Sequence, residues 1–158
     1  MCRYVQSNFS TQYKATIGAE FLSKEIIAKD KTISMQIWDT AGQEKYQSVQ
    51  GVFYRGSDGC ILVYDITSVE SFQSLKKWKE EFLNAANVNS PEQFPFILLG
   101  NKADMLTERK VAYAKATQWC KENGGVGYYE TSAKTAVNVK EAFEEMAARA
   151  VGRQKDKL

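Results

Sequence analysis

The sequence predicts an α/β fold with a mostly parallel sheet and helices on both faces. Three times, an apolar segment of strand length is followed by a segment whose apolar residues recur at helical spacing. The apolar segments are residues 59–65, 94–99 and 127–131. A continuous apolar segment is typical of a strand that is buried on both faces. This alternation favours a parallel sheet that binds its ligands at the carboxyl ends of the strands.

The first part of the chain predicts a helix end followed by a hairpin. Residues 2–8 favour the end of a helix, and the polar residues after them favour a loop. Residues 19–28 and 32–39 have strand patterns and flank a short polar connection, which predicts two antiparallel strands. The second strand shows the two-residue period through Ile33, Met35 and Ile37.

The second part of the chain predicts three helices. The first carries four apolar residues at helical spacing: Phe72, Leu75, Trp78 and Phe82. The other two are predicted over residues 107–122 and 137–151. Pro91 and Pro95 fall between a helix and a strand, where a missing backbone donor is tolerated.

Composition limits the possible classes of protein. The 158 residues predict one domain, over residues 1–158. A net charge of +2 gives no argument for a nucleic-acid partner. The chain has no histidine, which excludes His-based catalytic triads and His metal sites. Its three cysteines have no metal-ligand spacing and predict reduced thiols in a cytosolic compartment.

The end of the second hairpin strand carries a candidate phosphate site. Asp39 follows the apolar pattern and precedes a small-residue turn that ends at Gly42. A carboxylate there can hold a hard cation, and a glycine amide can approach a phosphate oxygen. The uncharged amide of Gln43, one residue further, can orient an attacking water. Taken alone, the motif also fits a plain turn after a strand.

Two later strand ends carry a candidate base site. The sequence Asn101-Lys102-Ala103-Asp104 follows one strand, and Ser132-Ala133-Lys134 follows the next. The Asp104 carboxylate can accept two hydrogen bonds from the N1–H and 2-amino groups of guanine, an edge that adenine lacks. The Lys102 stem can lie along the base, and the Asn101 amide can join the loops. The alternative for each segment alone is a polar loop.

Together these motifs resemble a small GTPase of the Ras superfamily, and five further segments are similar to the Rab branch. These are residues 17–21, 45–48, 53–56, 62–67 and 75–78. Residues 12–19 and 91–96 most resemble the late-endosomal subfamily of Rabs. The resemblance implies GTP or GDP with Mg²⁺ as cofactors, GTP hydrolysis, and a place on the cytosolic face of late endosomal, lysosomal or vacuolar membranes.

The resemblance also implies roles for single residues. Thr16 matches the switch threonine that binds Mg²⁺ and the γ-phosphate, and Asp39 matches the second Mg²⁺ residue. Phe9 and Tyr13 match aromatic residues beside the nucleotide. The Ala133 amide would face the guanine oxygen, with Ser132 and Lys134 on either side.

The resemblance further implies protein partners. Effectors, exchange factors and GTPase-activating proteins would bind residues 16–21, Trp38 and residues 43–54. Phe21, Trp38 and Phe53 resemble the aromatic triad beneath the effector surface of Rabs. Membrane association is expected of the family, although residues 152–158 contain none of the cysteines that Rabs lipidate.

One part of the family pattern does not occur in these 158 residues. They contain no Gly-x-x-x-x-Gly-Lys-Ser/Thr motif, which in the family follows the first, central strand of the sheet. The predicted fold is therefore a P-loop NTPase-like, three-layer domain that lacks its first strand, with unpaired edges at the strands ending in Asp39 and Asp65. Two functions stay open: a truncated Rab GTPase whose own activity is doubtful, and a non-catalytic Rab-like interaction module or incomplete gene product.

Overall fold

The computed structural model describes residues 1–28, 31–42 and 47–155. The strands are β1 (Ala19–Ala28), β2 (Lys31–Thr40), β3 (Cys60–Asp65), β4 (Phe96–Asn101) and β5 (Gly127–Glu130). The helices are α1 (Cys2–Gln6), α2 (Gln47–Tyr54), α3 (Val69–Gln73), α4 (Leu75–Ala86), α5 (Tyr113–Glu122) and α6 (Val139–Lys155).

The strands form one antiparallel hairpin and one parallel sheet. β1 pairs with β2 in a register that runs from Ala19 opposite Thr40 to Ala28 opposite Lys31. β3, β4 and β5 are parallel, with β4 in the centre. The side chains of Phe96 to Leu99 are buried in the middle of this sheet. The predicted hairpin and parallel sheet are therefore confirmed.

A cleft separates the two sheets. Among the described strands, β2 is hydrogen-bonded only to β1, and β3 is hydrogen-bonded only to β4. The edges of β2 and β3 that face the cleft therefore have no partner among these strands. The cleft has a volume of about 810 Å³, and Ile37, Ile61, Val63 and Phe143 are among the residues that line it. Met1 lies at the same cleft. The unpaired strand edges predicted from the sequence are confirmed within the described residues.

Helices cover both faces of the parallel sheet. On one face, β3 and β4 pack against α3, α4 and α5 through an aromatic cluster, in which the ring of Phe82 lies 5.2 Å from Phe94 and 5.8 Å from Phe96. On the other face, Ile97 and Leu99 pack against α6. None of the helices in the described residues is long and apolar enough to cross a membrane.

Helix α1 packs against α6 beside the hairpin. The buried ring of Tyr4 stacks on Phe143 with centroids 4.4 Å apart, and both belong to a cluster with Ile26 of β1. The Lys24 ammonium donates to the Tyr4 carbonyl at 2.6 Å and lies 4.1 Å from the centroid of its ring. The helix end predicted at the start of the chain is therefore present as α1, which is held by contacts with α6 and β1.

The cysteines are free thiols, as predicted. Burial raises the pKa of Cys60 to about 12 and that of Cys120 to about 11. Thiols with raised pKa values are protonated at neutral pH and unreactive. Both residues therefore serve packing.

Three helix predictions were wrong in extent. The helix predicted over residues 137–151 begins at Val139 and continues to Lys155. The helix predicted over residues 107–122 begins at Tyr113, after a short 3₁₀ turn at Leu106–Glu108. The backbone amides of Lys110 and Val111 instead donate to the Ile66 carbonyl at 2.9 and 3.0 Å, so this segment ties to the end of β3. The helix predicted through Phe72 and Phe82 is divided between α3 and α4 at Ser74.

Helix α2 was not predicted from the sequence. It contains Gly51, and glycine disfavours a helix interior by about 1 kcal/mol relative to alanine. A Cβ placed on Gly51 would lie 3.6 Å from the Ala85 Cβ, so the two helices approach closely there. Packing against α4 therefore accounts for a helix that local propensity did not indicate.

Candidate functional site

The two predicted base motifs meet at the carboxyl ends of β4 and β5. The Ser132 hydroxyl donates to the Asp104 carboxylate at 2.5 Å. The Ala133 amide donates to the Asn101 side-chain oxygen at 3.3 Å, which joins the two loops a second time. Ser132 is buried, whereas Asp104 is exposed. The two loops are therefore joined into one polar site, called the base pocket below, with the Asp104 carboxylate exposed to solvent.

A sharp turn presents Lys102 in this pocket. Lys102 has a left-handed backbone with φ of 66°, and its carbonyl accepts from the Met105 amide at 2.8 Å. The next amide, of Ala103, donates to the Thr131 carbonyl at 2.9 Å. This turn reverses the chain immediately after β4 and holds it against the end of β5.

The Lys102 ammonium is paired with Asp65 at the end of β3, at 2.6 Å. Asp65 also accepts hydrogen bonds from the Thr67 amide at 2.8 Å and hydroxyl at 2.7 Å. Burial alone would raise the pKa of Asp65, but the bonds from Lys102 and Thr67 hold that pKa below its usual value. Sequence reasoning assigned Asp65 no role. Its position at a strand end, like that of Asp39, was the available signal.

A polar network supports the pocket from below. The Arg109 guanidinium forms two hydrogen bonds of 2.7 Å with the Glu130 carboxylate, and Glu130 immediately precedes the pocket loop. The Tyr128 hydroxyl donates to Glu130 at 3.0 Å and contacts the Tyr64 hydroxyl at 2.7 Å. A Cβ on Gly100 would lie 2.8 Å from the Tyr64 hydroxyl, so a glycine is needed there on β4.

Replacing Arg109 with methionine should lower the free energy of unfolding at pH 7 by about 2 kcal/mol, because it leaves the Glu130 carboxylate without its cation. The exposed pair of Lys76 and Glu80 provides the control, since Lys76→Met should cost no more than about 0.5 kcal/mol. Urea unfolding of both variants measures the difference. Equal losses would contradict the role of the network.

The same pair predicts a pH dependence. The hydrogen bond from Arg109 is the main cause that holds the pKa of Glu130 below its usual value. A lowered pKa gives stability that is present above the unfolded-state pKa and is lost as the pH falls through the folded-state value. The original protein should therefore lose more unfolding free energy below pH 4.5 than Arg109→Met does. Parallel loss would show that the pair does not lower this pKa.

The candidate phosphate residues lie at the end of the hairpin. The Ala41 amide donates to the Gly18 carbonyl at 2.9 Å, which holds the turn after β2 against the loop that carries Thr16. Asp39 lines the cleft, where burial raises the pKa of its carboxyl; the amino group of Met1 opposes this shift and Glu20 adds to it. Gln43 lies outside the described residues.

The other nucleotide candidates differ in placement. Gly42 is exposed, and a Cβ there would meet no atom within 4 Å. Phe9 is 41% exposed and lies near Arg3, whose side chain contacts the loop of Ala133 and Lys134. Tyr13 is 90% exposed. The structure therefore brings Phe9 towards the base pocket and leaves Tyr13 in solvent.

The residues present fit a Mg²⁺ site only in part. Within residues 1–28, 31–42 and 47–155, no three Cys, Asp or Glu side chains are grouped as metal ligands. Mg²⁺ in phosphoryl-transfer sites usually takes one or two protein carboxylates and completes its shell with phosphate oxygens and water. Asp39 is a carboxylate of this kind at the cleft, and the bond from Ala41 to Gly18 ties the turn after it to the loop that carries Thr16.

The predicted aromatic triad is formed. The Trp38 ring lies 4.8 Å from Phe21 in the facing strand and 5.1 Å from Phe53 of α2. Phe21 and Trp38 are each 46% exposed. The triad thus joins the hairpin to α2 and leaves an apolar surface in contact with solvent.

Comparison with known proteins gives the class. The family model described as "Ras family" matches residues 1–152. With the parallel sheet and its strand-end pocket, this match shows that the chain belongs to the Ras family of small GTPases. Members of the family bind guanine nucleotide and hydrolyse GTP.

Relatives place the chain within that family as a Rab-type GTPase. It is 51% identical to the Ras-related protein Rab-7a of Paramecium octaurelia over 156 residues, or 99% of this chain and 76% of the relative. It is 51% identical to the Ras-related protein Rab7 of Drosophila melanogaster, over 96% of this chain and 72% of the relative. The Ypt/Rab-type GTPase ypt7 of Schizosaccharomyces pombe is 52% identical, over 93% of this chain and 72% of the relative.

Proposed function

We propose that this chain selects guanine nucleotides through the pocket between Asp104 and Ser132, as a switch in vesicle traffic. The observation that supports it best is the 2.5 Å hydrogen bond from Ser132, which holds the Asp104 carboxylate at the mouth of the pocket. The bond occupies one side of one oxygen and leaves acceptor positions for the N1–H and 2-amino groups of guanine. Asn101, Lys102, Ala133 and Lys134 complete the pocket.

Phosphate chemistry is assigned to the hairpin end and the turn after it. Asp39 and the Thr16 hydroxyl would hold Mg²⁺, which would neutralise developing charge on the phosphates when bound. Gly42 would offer its amide to the terminal phosphate, and Gln43 would orient the attacking water. Phe9 and Tyr13 would flank the nucleotide, which requires Tyr13 to leave its exposed position.

Protein partners are assigned to the surface around the aromatic triad. Effectors, exchange factors and GTPase-activating proteins would bind residues 16–21, Trp38 and residues 43–54. Loss of the terminal phosphate would release the loop of Thr16 and change that surface. The similarity to Rab7 and Ypt7 proteins supports a place on the cytosolic face of late endosomal, lysosomal or vacuolar membranes.

Replacing Asp104 with asparagine tests the base assignment. The asparagine amide cannot accept both guanine hydrogen bonds, but its N–H can donate to the additional carbonyl of xanthine. We expect affinity for guanosine monophosphate to fall by about tenfold or more and affinity for xanthosine monophosphate to rise, measured by ligand-observed NMR competition. Glu122→Gln, which removes one exposed carboxylate of α5, should change neither. A preserved preference for guanine would show that Asp104 does not select the base.

A second candidate function is a non-catalytic interaction module. It is favoured by the formed aromatic triad together with the lack of a Gly-x-x-x-x-Gly-Lys-Ser/Thr motif in the 158 residues. Such a module would present the Rab-like surface without hydrolysis. Normal binding of protein partners in the absence of any guanine nucleotide would support it over the switch.

A further inference from the structure

The side chain of Arg3 connects α1 to the loop of Ala133 and Lys134. Its Nε donates to the Ala133 carbonyl at 2.6 Å, and its Nη2 donates to the Lys134 carbonyl at 2.7 Å. The two donors of one planar guanidinium thus hold two successive carbonyls. Within the described residues, no other side chain donates a hydrogen bond to these two carbonyls.

The same guanidinium is anchored on α1 and approaches a second wall of the pocket. Its Nη1 donates to the Ser7 carbonyl at 3.0 Å, just beyond the end of α1. Its central carbon lies 5.9 Å from the centroid of the Phe9 ring, at the distance of a cation–π contact. Arg3 therefore contacts both Phe9 and the loop of Ala133.

The inner side of the loop is held by different bonds. Ser132 is fixed through Asp104, and within the described residues the Ala133 amide is fixed by the longer bond of 3.3 Å to Asn101 alone. The Arg3 bonds act on the carbonyls of the next two peptide units, and the amide of the second unit, that of Thr135, donates to the Ser132 hydroxyl oxygen at 3.0 Å. Holding a loop from both sides reduces the conformational freedom that a ligand must otherwise remove.

We propose that Arg3 is a positioning residue of the base pocket: it fixes the Ala133–Lys134 backbone and the Phe9 ring at the spacing that a purine needs. This inference rests on the proposed base site and extends it to a residue 130 positions away in sequence. Arg3 acts through the loop and through Phe9 and makes no contact with the base itself. Because Arg3 belongs to α1, the position of the Ala133–Lys134 backbone then depends on how α1 packs.

Three variants separate this role from a general effect on α1. Arg3→Gln removes the paired donors, and Arg3→Lys keeps the charge without the planar fork. Lys24→Gln is the control, because Lys24 also ties α1 to the rest of the chain, through the Tyr4 carbonyl, without touching the pocket loop. All three are measured in the full polypeptide beside the original protein.

Amide hydrogen exchange gives a readout that needs no ligand. The Ala133 and Thr135 amides donate to Asn101 and Ser132. Arg3→Gln should accelerate exchange at both by about tenfold or more, Arg3→Lys should accelerate it less, and Lys24→Gln should leave it unchanged. Unchanged exchange in Arg3→Gln, or equal acceleration in Lys24→Gln, would overturn the proposal.

Nucleotide binding gives the second readout. Arg3→Gln should weaken guanosine and inosine monophosphate by the same factor, roughly five- to twentyfold, because the loop that it holds serves both bases. Inosine lacks the 2-amino group, so a changed ratio would make Arg3 a base contact and overturn a positioning role. If the original protein binds neither nucleotide, the base site fails, and the exchange measurement still decides whether Arg3 orders the loop.

Discussion

Without Mg²⁺, which Asp39 and Thr16 would otherwise hold, guanosine mono-, di- and triphosphate should bind the 158-residue polypeptide with nearly equal affinity. In the proposed pocket, Asp104 and the loop of Ser132 and Ala133 face the base, and their contacts do not depend on the number of phosphates. The motif whose amides and lysine hold the β- and γ-phosphates does not occur in the 158 residues. We therefore expect the three dissociation constants to agree within about threefold in isothermal titration.

The magnitude makes this a sharp test. A hydrogen bond to a charged group contributes about 1.5–3 kcal/mol, so three phosphate contacts would favour the diphosphate over the monophosphate by roughly 10³- to 10⁶-fold. The Drosophila relative, which is 51% identical, serves as the control and should show such a preference. A preference of about a hundredfold or more in this polypeptide would show that other residues hold the phosphates.

Strands and strand-end motifs were the most predictable features. β3, β4 and β5 begin and end within about two residues of their apolar segments, because burial on both faces leaves a continuous apolar pattern. The meeting of Asp104 with Ser132 followed from the rule that carboxyl ends of parallel strands share one edge. The order and direction of the strands were therefore enough to predict that these two loops meet.

Features that depend on tertiary contacts were not predictable. Helix α2 packs through Gly51 against Ala85, a contact that no local pattern records. The late start of α5 follows from the pairing of Lys110 and Val111 with Ile66. Pairing at this distance along the chain competes with helix propensity and wins when it satisfies buried backbone groups.

Polar partnerships were missed for the same reason. Asp65 pairs with Lys102, and Arg109 pairs with Glu130, across segments whose separation in sequence gives no period or motif. Each pair connects a pocket loop to a neighbouring segment. The residues proposed to bind the base could therefore be predicted from the sequence, whereas the side chains that support them are identified only by their contacts in the folded structure.

The open strand edges predict that the polypeptide associates with itself as its concentration rises. β2 and β3 face the cleft without a strand between them in the described part of the chain. An unpaired edge is a template for another chain. Pairing with another chain would also remove from water the apolar side chains that line the cleft. Association through these edges is therefore favoured.

Replacing Val63 with lysine should suppress this association, and the same change at Val137 should not. Val63 of β3 lines the cleft and is 53% exposed, while Val137, in the loop before α6, is 51% exposed. The two substitutions add the same charge and remove a similar apolar surface, so a difference isolates the strand edge. A lysine on an edge strand is a device by which natural sheets resist pairing with other chains.

Sedimentation velocity across a concentration series measures the effect. We expect Val63→Lys to move the midpoint of association to a concentration at least about tenfold higher and Val137→Lys to move it by less than about twofold. Circular dichroism checks that both variants keep the fold. Because Val63 lines the cleft and is half exposed, its replacement should leave the thermal transition close to that of the original protein. Three equal midpoints would mean that the cleft does not mediate association and that β2 and β3 remain protected from other chains.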